Sequence, residues 1–180
     1  MVTATKISDV KIVEPRVFAD NRGFFFEALN VIALEKDGIS FTPVQENCAY
    51  SVNKGTIRGL HFQNNPMAQA KLVRCTAGRV MDYAVDLRKN SPTYLQYVAV
   101  ELSAENKKQL YIPRGFAHGV VSLEDNTIIE YFADNPYSPD NDRSIRYDDP
   151  QIAIDWGMEK LILSEKDKNA PYLSESDCNF

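Results

Sequence analysis

The stretch AKLVRCTAGRVMDYAVDLRKNSPTYLQYVAVEL, residues 70–102, decides the fold class. It holds three runs rich in Val, Leu, Ala and Tyr, each too short for an amphipathic helix, separated by AG and by KNSPT. Gly, Pro, Asn and Ser between short apolar runs are turn chemistry, and branched and aromatic side chains suit a pleated, half-buried surface. The same rhythm extends in both directions. Upstream lie VQENCAYSV and TIRGLHF, and downstream KQLYIP, AHGVVSL and TIIEYFA, so eight strand-like runs follow one another between residues 44 and 133. No helical segment alternates with them, which points to a sandwich or jelly roll rather than to βαβ units.

The flanks add little regular structure. VKIVEP alternates like a strand, and GFFFEAL follows the turn-like DNRG. The best helix is ALNVIALEKDGIS, with Asn30 placed to cap its start and Gly38 where a glycine ends a helix. From DDPQIAIDWG through LSEKDKNAP the chain reads as irregular, with one helical turn after Ser164. With 180 residues, no fixed-period repeat and no linker-like tract, residues 1–180 form a single domain.

Composition narrows the functions. Hydrophobic residues make up 44% of the chain, which excludes a disordered protein. A net charge of -5 without a basic stripe argues against nucleic acid as a partner. Cys48, Cys75 and Cys178 are odd in number and widely spaced, as free thiols of a reducing compartment are. With no apolar leader and no run of about 18 apolar residues, the expectation is a cytoplasmic protein with no membrane partner.

Only two histidines are present, His61 and His118. His61 lies in TIRGLHFQNNPMAQAKLVR among Arg58, Gln63 and Lys71, four polar side chains on two neighbouring strands otherwise made of core residues. A metal-binding jelly roll needs several converging ligands, yet Gln63 stands two residues after His61 and no Asp or Glu sits beside it. No metal is expected. Strict alternation puts Arg58 and His61 on opposite faces, so both reach one pocket only if Gly59 marks a bulge. His118, in IPRGFAHG, enters another strand from a Pro/Gly loop, as mouth residues of a barrel do. The residues themselves point to a polar pocket and leave a catalytic role open.

Seven stretches in order carry a resemblance over nearly the whole chain: RGFFFE (22–27), QEN (45–47), RGLHFQ (58–63), QAKLVRCTAG (69–78), DLRKNSPTY (86–94), IPRGFAHG (112–119) and LSEKD (163–167). The sequence resembles the dTDP-4-dehydrorhamnose 3,5-epimerase family, cofactor-independent sugar-nucleotide epimerases of the cupin superfamily. The resemblance implies a mainly β double-stranded β-helix, or cupin jelly roll, with a few short helices. It implies a homodimer with N-terminal strands packed across the interface. The implied reaction turns dTDP-4-keto-6-deoxy-D-glucose into dTDP-4-keto-L-rhamnose, for cell-surface polysaccharide synthesis, without metal or cofactor.

It implies, too, that His61 is the general base, paired with Asp167. Tyr131 matches the general acid, Lys71 the cation near the C4 oxygen, and Tyr137 the aromatic that stacks on thymine. Arg22, Phe25, Glu27, Gln45, Asn47, Arg58, Gln63, His118, Asp142 and Lys166 fall on positions that hold the nucleotide and sugar, although Asp142 stands where the family often has Glu. Taken without the resemblance, Tyr131 reads as a core aromatic, Tyr137 as a loop aromatic, and Asp167 as a carboxylate favoured at a helix start. The rival readings are a sibling inverting one carbon or taking another nucleotide-linked keto sugar, a silent sugar-nucleotide-binding cupin, and a metal-dependent cupin enzyme.

The chemistry needs these residue types. A proton beside a ketone leaves through an enolate, so inversion requires a base on one face and an acid on the other. An imidazole with a free pKa of about 6.5 is largely neutral at pH 7 and can accept that proton. Acid–base catalysis supplies only about 10²–10⁴-fold, so a cation at the enolate oxygen carries a larger share.

Overall fold

A computed structural model describes residues 1–180. The eight strand-like runs are all strands: β5 (Gln45–Ser51), β6 (Ile57–Gln63), β7 (Lys71–Ala77), β8 (Arg79–Asp86), β9 (Tyr97–Ser103), β10 (Gln109–Ile112), β11 (Phe116–Ser122) and β12 (Thr127–Ala133). Before them come β1 (Val2–Ala4), β2 (Lys11–Val13), β3 (Val17–Asp20) and β4 (Gly23–Phe26), and after them β13 (Asp142–Ser144). The helices are short, α1 (Val31–Lys36) and α2 (Glu165–Lys168). The α1 caps are those the sequence implies. The Asn30 side chain accepts from the Ala33 amide, and Gly38 follows the helix at φ +81.

Two antiparallel sheets face each other, a six-stranded one in the order β1-β2-β10-β7-β12-β5 and a five-stranded one in the order β13-β6-β11-β8-β9. This is a mainly β jelly roll. Its central core lies between the sheets, with Val73, Cys75, Leu110, Ile112 and Ile129 meeting Val80, Ala84, Val98, Leu102, Phe116 and Val120. The outer face of the five-stranded sheet is covered by the irregular segment that follows β13, through Ile145, Ile152, Trp156 and Leu173. Trp156 packs on Tyr83 with ring centroids 4.7 Å apart and donates its Nε1–H to the Tyr147 carbonyl, so its one polar atom is satisfied. On the other sheet, Leu34 of α1 with Ile39 and Phe41 covers Ala70 and Leu72.

The β3–β4 hairpin is a separate two-stranded sheet that presents Phe18, Phe24 and Phe25 to solvent. Strand β5 is an edge, paired on one side only with β12. No helix is long and apolar enough to cross a membrane.

One irregularity positions the site. Along β6 and β11, His61 faces His118 and Arg58 faces Val120, so three steps on β6 match two on β11. The extra residue is the bulge expected at Gly59, which has φ +133. A Cβ there would lie 2.6 Å from the Gly119 Cα and 2.7 Å from the His118 carbonyl oxygen, so only glycine fits. The bulge turns Arg58 and His61 to the same side, leaving both half-buried between buried neighbours.

Candidate active site

The two sheets bring rows of polar side chains to one end of the roll. On the five-stranded sheet, Ser144, His61, His118 and Ala84 stand opposite one another across β13, β6, β11 and β8. On the six-stranded sheet, Asn47, Tyr131 and Val73 form the corresponding row across β5, β12 and β7, with Lys71 two residues from Val73 on the same face. His61 and Tyr131 therefore belong to opposite walls.

His61 donates its Nε2–H to Asp167 Oδ1 at 2.7 Å, which leaves Nδ1 as the basic nitrogen. Ser164 caps α2 by accepting the Asp167 amide at 3.1 Å, so the single helical turn fixes the carboxylate against the ring. The Asp167 side chain is 5% exposed and that of His61 31%: the carboxylate is the buried support and the imidazole the accessible group. Burial alone raises the Asp167 carboxyl, but the His61 hydrogen bond and charge, with help from Ser164 and the Gly59 backbone, hold it below the ordinary carboxylate range.

Lys71 is buried, and its ammonium lies 5.5 Å from the centre of the Tyr131 ring. Burial pushes Lys71 down to about 8, with Asp82 and then Asp142 opposing. For Tyr131, burial raises the phenol, aided by Asp142 and opposed by Arg58, so it stays protonated at neutral pH. His118 sets its ring against Tyr131 with centroids 6.3 Å apart and donates Nε2–H to Asp82 Oδ2 at 3.0 Å.

The remaining residues frame the mouth. Gln45 bonds Asn47 and accepts the Tyr137 amide at 2.8 Å, which fixes the loop that exposes the Tyr137 ring. Gln63 is buried; its amide nitrogen bonds the Met67 and Pro136 carbonyls and its oxygen takes the Ser138 amide. It holds the Tyr137 loop from beneath. Arg58 is tied to the Ser51 hydroxyl and the Tyr50 carbonyl at the end of β5. At the rim, Lys166 of α2 pairs with Asp142 of β13 at 2.7 Å.

Three residues singled out in the sequence stand apart from this cluster within the chain. Arg22 lies on the β3–β4 turn, 85% exposed and paired only with Asp20. Phe25 is exposed on the same hairpin, and Glu27 bonds Asn30 at the start of α1. In the other direction, Asp82 is a site residue that the sequence analysis passed over. Its signal is a carboxylate in the middle of RVMDYAVDL, in phase with the inward Val80 and Ala84.

Comparison with known proteins places the chain in a family. The family model described as dTDP-4-dehydrorhamnose 3,5-epimerase matches residues 4–175. The chain is 51% identical over 178 residues to the dTDP-4-dehydrorhamnose 3,5-epimerase of Salmonella typhimurium, covering 98% of this chain and 97% of that one. The crystal structure of dTDP-4-dehydrorhamnose 3,5-epimerase from Bacillus anthracis, with TDP and pyrophosphate bound, superposes with a TM-score of 0.93 at 47% identity, covering 96% of this chain and 99% of that one. The Legionella pneumophila enzyme in complex with dTDP-4-keto-L-rhamnose does so with a TM-score of 0.93 at 44% identity, covering 98% and 94%. The chain belongs to the dTDP-4-dehydrorhamnose 3,5-epimerase family.

Proposed function

We propose that this protein inverts C3 and C5 of dTDP-4-keto-6-deoxy-D-glucose to give dTDP-4-keto-L-rhamnose. The observation that carries this reading is a base and an acid on facing sheets: the His61–Asp167 pair on one wall and Tyr131 on the other, with buried Lys71 beside Tyr131. His61 Nδ1 takes the proton from the carbon next to the ketone. The C–H bonding pair moves into the enolate and its charge settles on the C4 oxygen. Asp167 stabilises the imidazolium and fixes its tautomer. The Lys71 ammonium meets the C4 oxygen, a preorganised cation in a water-poor cavity. The Tyr131 phenol returns a proton to the opposite face, which inverts the carbon.

Arg58 and Lys166 offset the diphosphate, Tyr137 stacks on thymine, and Gln45, Asn47, His118 and Asp142 orient the nucleotide and sugar. An acidic protein holds an anionic substrate in this way because Arg58, Lys71 and Lys166 converge on one site whatever the net charge. Arg22, Phe25 and Glu27 complete the site of a second copy. The exposed aromatic hairpin β3–β4 and the open edge of β5 support a homodimer, since both are surfaces that a soluble protein covers. Three free cysteines fit a cytoplasmic setting.

Proton NMR of dTDP-4-keto-6-deoxy-D-glucose in D₂O with the purified protein tests the reaction. Deuterium is expected at both C3 and C5. Exchange at one carbon assigns a mono-epimerase, and no exchange with folded protein assigns another sugar or a binding role.

A further inference from the structure

Strand β8 turns two carboxylates towards the inside of the roll, and they differ in one respect. Asp86, at its end, uses both oxygens: Oδ1 accepts from the Arg88 amide and Nε, and Oδ2 from Arg88 Nη2, Ser91 and Thr93. Asp82, fully buried mid-strand, uses one. Its Oδ2 takes the His118 Nε2–H, while its Oδ1 is buried without a hydrogen-bond partner. A buried carboxylate that serves the fold alone is stabilised by filling its acceptor sites, as Asp86 does.

The complement of that free oxygen lies on the facing sheet. Lys71 is buried and lacks an ion-pair partner, and Asp82 is the carboxylate that most favours its charge, ahead of Asp142. The other charged or titratable groups turned into this space between the sheets are His61 and Arg58 on β6, His118 on β11, Tyr131 on β12 and the Cys75 thiol on β7, which burial pushes up to about 11 and keeps neutral. Strands β9 and β10 turn only apolar Val98, Leu102, Leu110 and Ile112 inward. Strand β5 contributes the uncharged Gln45, Asn47 and Ala49. Asp82 and Asp142 are thus the carboxylates that act on Lys71, and Asp142 is engaged with Lys166 at the rim.

We propose that Asp82 is a positioning residue for Lys71: its free oxygen holds the ammonium charged at the back of the site, and its bonded oxygen fixes His118 beside it. Asp82 touches no substrate in this arrangement. It acts by keeping a cation in a place where burial favours the neutral amine.

The test is a pair of variants, Asp82→Asn, which preserves an acceptor for His118, and Asp82→Ser, which leaves space for water. Protein carrying ¹³C-labelled lysine is titrated by NMR, with Lys71→Arg identifying the Lys71 signal. In both variants the Lys71 transition is expected to fall by about one pH unit or more, so that turnover relative to wild type falls about tenfold further at pH 9 than at pH 6. An unmoved transition, an equal loss at both pH values, or failure of both variants to fold overturns the proposal. The turnover arm rests on the epimerase reading, and the NMR arm needs no substrate. A wild type that titrates as expected without turning over substrate therefore counts against that reading and not against the role of Asp82.

Discussion

His61 and Asp167 are 106 residues apart in the chain and 2.7 Å apart in the fold, and the contact is made by the shorter of the two α-helices. Because the carboxylate is buried and the ring accessible, removing either should give a different defect. Asp167→Asn keeps the shape and loses the charge that stabilises the imidazolium. Turnover should fall by about 10²–10⁴-fold with little change in KM. His61→Ala should abolish turnover while dTDP binding, measured by calorimetry, stays within about threefold of wild type. Wild-type rates in either variant would remove the base assignment.

Tyr131→Phe separates the two halves of the reaction. Proton removal by His61 is retained and delivery from the other face is lost. In D₂O the substrate should continue to exchange while the epimerised product falls by about 10²-fold or more. Equal loss of exchange and inversion would make Tyr131 a packing residue and place the acid elsewhere.

The pH dependence follows from Lys71. With its transition at about 8 in the free protein, the ammonium is charged below that pH and neutral above it, so kcat/KM should decline as pH rises through 8. Stability should move the opposite way. The folded chain releases this proton before the unfolded chain, whose lysine titrates near 10.4, so the group's destabilising effect, about 3 kcal/mol in full, is relieved between pH 8 and 10.4. The difference in melting temperature between wild type and Lys71→Met, followed across that range, checks the sign. A flat difference would mean that Lys71 is not held charged in a dry site.

The proposed sharing of sites between two copies makes a prediction about mixtures. Arg22→Ala and His61→Ala dimers should each be nearly inactive. After subunit exchange a hybrid carries one site with both lesions and one intact site, so an equal mixture should recover about a quarter of wild-type activity. No recovery from a mixture shown to exchange would place Arg22 in the same chain's site.

Much of the fold was legible because the signals are local. Turn residues between short apolar runs marked all eight strands from β5 to β12, and Asn30 and Gly38 marked both ends of α1. Gly59 announced the bulge, since Arg58 and His61 could share a wall in no other way. What sequence patterns miss is long-range or lacks a pattern. Strand β13 lies in SPDNDRS, whose Pro, Asp and Asn read as loop, and it exists because β6 offers an open edge. Asp82 was hidden by its own phase, because an inward position in a strand reads as core. Gln63 shows the reverse: its motif suggested a ligand contact, while its buried amide is taken up by loop backbone.

The bulge at Gly59 also constrains how this protein can vary. Gly59 lies against Gly119, and a Cβ on Gly119 would meet Leu60 at 2.8 Å and Trp156 at 3.0 Å. Neither glycine makes room for the other, so no first substitution at this crossing prepares the way for a second. Descendants of the sequence can drift around the pair, recolouring the rim and the loops, but the crossing itself offers selection no intermediate step. The innovations open to this scaffold lie in what surrounds His61, while the way that imidazole is aimed is inherited whole.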